Sequence, residues 1–153
     1  MKQLFFGLCG EGNTDLRFFK VLLERCIEKI FTESDEELSI LEPLTIKKRS
    51  GNFIEQMKNI ENEHSGLNVI FVHMDADDRN QRAVLETKWN PWLEVCTNKD
   101  LWVPVIPIKM LESWMLADTN ALSRVFILSE KVIIEITENK PVESIINPKE
   151  KLT

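Results

Sequence analysis

Leu67-Asn68-Val69-Ile70-Phe71-Val72-His73-Met74 is nearly continuous in apolar character and ends at Asp75-Ala76-Asp77-Asp78. A run of this length, rich in β-branched residues and closed by acids, reads as a strand. Its lack of polar alternation marks a central parallel strand covered on both faces. Upstream, Ser50-Gly51 punctuates the chain before a helix expected over 52–63, with Phe53, Ile54, Met57 and Ile60 on one face. A second strand is expected over 41–48. The acidic stretch Glu33-Ser34-Asp35-Glu36-Glu37 reads as a solvated loop. Before it, residues 14–31 carry Leu16, Phe18, Phe19, Val21, Leu22, Leu23, Cys26, Ile27 and Ile30 at mostly helical spacing, with Asn13 or Thr14 as the cap. Residues 2–9 read as the first strand.

Downstream of the central run, 78–96 reads as helical around Asn90-Pro91, where the proline should start a new segment or kink the old one. Residues 101–108 form a further strand whose Pro104 and Pro107 place it near a sheet edge. Helix is expected over 112–117, a helix start at Asp118-Thr119-Asn120, and a short helix over 121–128. The remainder is less patterned. This alternation of strand and helix implies an α/β fold, mostly parallel, right-handed and three-layered, with about four strands. Residues 1–153 are expected to form one domain.

Hydrophobic content of 43% with 29% charged residues is ordinary for a soluble globular chain. No apolar run approaches the roughly 18 residues that span a bilayer, and the first strand leads straight into an acidic motif, unlike a secretion signal. A cytosolic, non-membrane protein is expected. Three cysteines without CxxC spacing and two histidines leave too few ligands for a structural zinc site, and Cys9 and Cys26 read as buried small hydrophobes. The tryptophans at 89, 92, 102 and 114 read mostly as core. A net charge of −6 argues against coating nucleic acid by bulk electrostatics and leaves room for a local basic patch. Lys47, Lys48, Arg49, Arg79, Arg82 and Lys88 could guide a backbone, or be ordinary surface charge.

Three acidic motifs each follow an apolar run: Gly10-Glu11-Gly12-Asn13-Thr14-Asp15, Asp75-Ala76-Asp77-Asp78, and Glu112-Ser113-Trp114-Met115-Leu116-Ala117-Asp118. In open α/β sheets ligands gather outside the carboxyl ends of the strands, so several carboxylates would converge on one edge. Carboxylates held together usually keep a proton or hold a hard divalent cation. The first motif is neither a dinucleotide fingerprint, which would need glycine at Asp15, nor a P-loop, which would need a following Gly-Lys-Ser/Thr. The glycines flanking Glu11 let the chain turn sharply and keep bulk from its carboxylate. Asp15, one helical turn on, either joins the site or serves the helix dipole. Asp75 and Asp77 point to one side in extended geometry, although acids are also common in turns. Asp78 reads as a cap. Glu112 lies nearer a strand end than Asp118, and Lys109 there could stabilise a phosphate or a leaving oxygen.

The Glu-Gly-x-Thr-Asp context of Glu11 to Asp15, followed by Asp75-Ala76-Asp77, resembles the TOPRIM domain of topoisomerases, primases and the overcoming-lysogenization-defect nucleases. The acid at position 15 is most similar to the last branch. Met110-Leu111-Glu112-Ser113-Trp114-Met115-Leu116-Ala117-Asp118 and Asn147-Pro148-Lys149-Glu150 resemble a family of small, uncharacterised bacterial TOPRIM-like proteins. The resemblance implies a Rossmann-like domain holding one or two Mg²⁺ or Mn²⁺ ions. Glu11, Asp75 and Asp77 would be core ligands, Asp15 and Glu112 ligands of a second ion, and Lys109 the basic residue. Such ions activate water or a hydroxyl in phosphodiester chemistry. The chain has no tyrosine, so strand passage would need one from a partner, and without a Walker motif any ATPase would be a separate partner. In the similar small proteins the 147–150 motif precedes further helix, which implies a chain truncated at its C-terminus or a short family member.

The leading expectation is a metal-dependent nuclease acting on nucleic acid, DNA before RNA, in a bacterial defence or repair system. A receiver-like domain that takes a phosphoryl group on Asp75 is the alternative from another class, and it leaves Asp15, Asp77 and Glu112 without a role. A third is a TOPRIM-like module that binds a partner without catalysis.

Overall fold

The computed structural model describes residues 2–33, 37–48, 51–76, 80–108 and 114. They form a mixed α/β arrangement in which every strand pair is parallel. Two compact units divide the chain: Met1–Met74 with Val84–Val105, and Asp75–Ala83 with Ile106–Thr153.

In the first unit, the strand expected over 2–9 is two strands, β1 (Lys2–Leu4) and β2 (Phe6–Gly10). They belong to different sheets. Asn68 causes the break: its side-chain oxygen accepts from the Phe5 N–H at 2.8 Å, and its own N–H donates to the Phe5 carbonyl at 2.8 Å. With both backbone groups of Phe5 taken, no ladder can run through it. Helix α1 (Asn13–Thr32) follows, its cap being Gly12 and not Asn13 or Thr14. Gly12 is extended, with φ −97°, and its carbonyl accepts from the Leu16 N–H at 3.1 Å. Leu16, Phe19 and Ile27 form the buried stripe. Cys26 lies to the side of that stripe in the last turns of the helix and is exposed, contrary to expectation.

The strand expected over 41–48 is the shorter β4 (Leu44–Lys47), which pairs with β2, and a further strand that was not expected, β3 (Leu38–Ile40), precedes it and pairs with β1. Pro43 lies between them and has no N–H for a ladder. Helix α2 (Phe53–Glu63) starts where expected, its cap Asn52 accepting from the N–H groups of Ile54 at 2.9 Å and Glu55 at 3.3 Å. Strand β5 (Val69–His73) is central, as its composition demands.

A helical stretch runs through α3 (Gln81–Val84), a π-helical turn (Leu85–Trp89) and α4 (Asn90–Val95). Pro91 stands in the first turn of α4, as expected of a proline that opens a new segment. The Asn90 N–H reaches back five residues to the Leu85 carbonyl, and this wide turn accommodates a ring that has no N–H to donate. Strand β6 (Trp102–Val105) is shorter than the expected 101–108 and carries Pro104 at the edge of the sheet.

The four-stranded sheet has the order β4-β2-β5-β6. The chain therefore steps outward from β2 to β4, returns past β2 to β5, and continues to β6. Phe6 and Phe71 meet edge to face across β2 and β5, and Trp92 meets Trp102 likewise. Trp89, Trp92 and Trp102 are core, as expected, while Trp114 is half-buried. Gly7 permits the close layer around β2, since a Cβ there would stand 2.7 Å from a Leu67 methyl and 3.2 Å from one of Ile46.

In the second unit, the Ala76 N–H donates to the Pro107 carbonyl at 3.2 Å, and Asn80 accepts from the Arg82 N–H at 2.9 Å. Apart from Trp114, which is helical, the elements expected beyond residue 108 lie outside the described residues. No described helix is long and apolar enough to cross a membrane.

Candidate functional site at the carboxyl ends of the central strands

Strand register decides which side chains meet in the first unit. Cys9 pairs with Val72, so Gly10 and His73 come level and Glu11 stands one step beyond. Gly10 pairs with Lys47, so Lys48 is level with Glu11 on the other side, and its N–H extends the ladder by donating to the Gly10 carbonyl at 2.9 Å. Glu11, Lys48 and His73 thus gather from three neighbouring strands. Asp15 joins them from the first turn of α1.

The Lys48 ammonium lies 3.9 Å from Glu11 Oε1. It also donates to the His73 carbonyl oxygen and sits 5.9 Å from the centre of the Phe53 ring. Only 8% of the Lys48 side chain is exposed, against 80% for Glu11. The His73 imidazole is buried, tilted against Phe19 at 4.7 Å between ring centres, and its Nδ1 is 3.9 Å from Asp15 Oδ2, too far for a hydrogen bond. Asp15 folds back over Gly12, where an added Cβ would come within 2.9 Å of Oδ2. That glycine leaves room for the carboxylate. Asp15 also stands in the first turn of α1, where the helix dipole favours a negative charge.

Directly beneath, Cys9 is fully buried. Burial pushes its thiol up to about 11; Lys48 opposes the rise and Glu11 adds to it. A neutral, enclosed thiol is neither a nucleophile nor a ligand at ordinary pH. Among the described residues of the first unit, the accessible donors of this strand end are the carboxylate oxygens of Glu11 and Asp15, hard ligands that suit Mg²⁺ or Mn²⁺. Mg²⁺ sites commonly take only one or two carboxylates and complete their shell with water and substrate phosphate. The donor chemistry therefore fits a hard divalent cation.

Of the residues singled out in the sequence, Glu11 lies beside Lys48 and Asp15 beside His73 at the same strand end of the first unit. Asp75 is half-buried, directly follows Met74 in the chain, and belongs to the second unit. Asp77, Lys109 and Glu112, like Asp78 and Asp118, lie outside the described residues. Among the described residues no three His, Cys, Asp or Glu side chains are grouped so as to hold a metal ion. Lys47, Arg82 and Lys88 are exposed, whereas Lys48, grouped with them from sequence, is buried at the strand ends; Arg49 and Arg79 fall outside the described residues.

His73 is a member that sequence reasoning missed, and Lys48 was read there only as part of a possible basic track or as surface charge. The signal for His73 was its polarity at the close of an otherwise apolar run. For Lys48 it was a lysine one step past a strand that ends level with Gly10, visible only once the register is known. No family model, curated protein or solved structure matches the chain.

Proposed function

We propose that this chain is a TOPRIM-like, metal-dependent domain that hydrolyses nucleic-acid phosphodiesters, DNA before RNA. The observation that carries the reading is the gathering of Glu11, Asp15 and Lys48 at the carboxyl ends of the adjacent parallel strands β2 and β5. Read as a Rossmann-like, three-layer order, β4-β2-β5-β6 reverses its direction between these two strands, and ligands of such sheets bind outside the carboxyl ends at that point.

The ligand set is the one the sequence resemblance implies: Glu11, Asp75 and Asp77 for one Mg²⁺ or Mn²⁺, and Asp15 with Glu112 for a second. When bound, such ions supply an activated water and charge stabilisation at the leaving oxygen. The protein's own residues bind and orient. Glu11, 80% exposed, meets solvent and substrate first. Phe19 fixes the His73 ring beside Asp15, and His73 with Gly12 confines that carboxylate to the strand end. Lys109 is the candidate to bind a phosphate oxygen. The setting we propose is a cytoplasmic bacterial defence or repair system in which any ATPase is a separate protein.

The test is cleavage of plasmid, single-stranded DNA and RNA by the full chain in Mg²⁺ and in Mn²⁺, against Glu11→Gln and Asp75→Asn. Each substitution should lower the rate by about a hundredfold or more, as expected when a charge-stabilising group is removed. Absence of cleavage in either metal, or variants as active as the parent, would end the proposal.

A further inference from the structure

Lys48 is a buried ammonium at a point where the sheet otherwise collects acids. A buried charge persists only when it is paired and hydrogen-bonded. Three of its partners are unequal. The His73 carbonyl oxygen and the Phe53 ring belong to the packed frame, and they fix the ammonium whether or not Glu11 is present. Glu11, 80% exposed and 3.9 Å away, is the outward half of the pair. This lysine is thus built into the core from the strand side and offers its charge to a carboxylate that faces solvent.

We propose that Lys48 is a positioning residue for Glu11: a built-in cation that holds this carboxylate at the strand end and sets how tightly it takes a divalent metal ion. The inference rests on the metal-binding reading of Glu11. Two consequences follow from charge alone. With Lys48 beside Glu11, bringing this carboxylate close to Asp15 requires no divalent ion, because part of the repulsion is already cancelled. The same positive charge opposes an arriving cation, so affinity is held below what the carboxylates would otherwise give. Screened by water and salt, a unit charge at ion-pair distance weakens divalent binding by about three- to tenfold.

The experiment is calorimetric titration of the full chain with Mn²⁺ alone, for the parent, Lys48→Met, Lys48→Gln, Lys48→Arg, Glu11→Gln and the double variant Glu11→Gln/Lys48→Met, each checked by thermal melting. The neutral substitutions should tighten Mn²⁺ binding by about three- to tenfold, and Lys48→Arg should stay within about twofold of the parent. On the Glu11→Gln background the Lys48→Met effect should shrink below about twofold, since it acts through Glu11. A purely structural lysine would not produce that cycle. Unchanged or weaker binding in the neutral variants, with Mn²⁺ still bound by the parent, overturns the role of Lys48 and leaves the metal reading standing. If no protein binds Mn²⁺, both fall. Should both neutral variants fail to fold, Lys48→Arg decides: parent-like affinity supports the proposal and a larger departure overturns it.

Discussion

Cys9 shows how far one buried group can tie stability to pH. It stands fully buried on β2, the strand between β4 and β5, and burial pushes its thiol up to about 11 from 9.0, with Lys48 pulling it back and Glu11 adding to the rise. Between those values the unfolded chain has released a proton that the folded chain still holds. Cys9 therefore leaves stability unaffected below about pH 9, lowers it as pH rises through the window, and adds nothing further above about pH 11. The full effect is on the order of 2 to 3 kcal/mol. Cys96 acts in the same direction, raised by burial and by Glu61 and drawn back by Lys99. Urea unfolding at about pH 8 and about pH 10.5 should show the loss, and Cys9→Ala should remove most of it. An equal slope in Cys9→Ala would assign the dependence to another group. Cys9 and Cys26 read alike in sequence and differ in the fold: Cys9 is buried and Cys26 is exposed, because the buried stripe of α1 runs through Leu16, Phe19 and Ile27.

At the level of whole elements, the helix starts were legible where a side chain does the capping. Asn52 has the residue type and the position, and its carbonyl oxygen accepts two of the first N–H groups of α2. Asn52→Ala should cost about 1 kcal/mol, read as a lower urea midpoint at constant m-value; an unchanged midpoint would mean that water serves those donors as well. At α1 the same reading picked Asn13 or Thr14 and was off by one or two positions, because Gly12 caps without any side-chain bond and gains its place by leaving room for Asp15. The strand over 2–9 was likewise visible as an apolar run but not as two strands, and of β3 and β4 only β4 was anticipated, within 41–48. The breaks between β1 and β2 and between β3 and β4 come from Asn68 pinning Phe5 and from Pro43 interrupting the ladder, and the first is a contact between distant parts of the chain that no local pattern encodes.

Across the chain, the alternation of apolar runs with amphipathic segments was enough to give a mixed α/β protein with parallel strands and β5 at its centre, because burial on both faces leaves a compositional mark on a strand. The acids of the site were legible for a related reason, since Glu11 and Asp15 stand in one short motif that the β2-to-α1 turn keeps together. Lys48 and His73 were not, because they reach the same place only through the parallel pairing of β4, β2 and β5. Those strands are brought together by their own pairing, so a divalent ion held at their ends would select the folded chain over the unfolded one. Folding stability should then rise with metal concentration, by about 2.7 kcal/mol at a hundredfold excess over the dissociation constant. Thermal melts in Mn²⁺ should lie above those in EDTA, chelation should reverse the shift, and Glu11→Gln should lose most of it. The charge-neutral substitution also removes the carboxylate that Lys48 faces, so its metal-free melting temperature must be measured alongside: a variant that melts lower in EDTA but still shifts fully with Mn²⁺ would place the ion elsewhere.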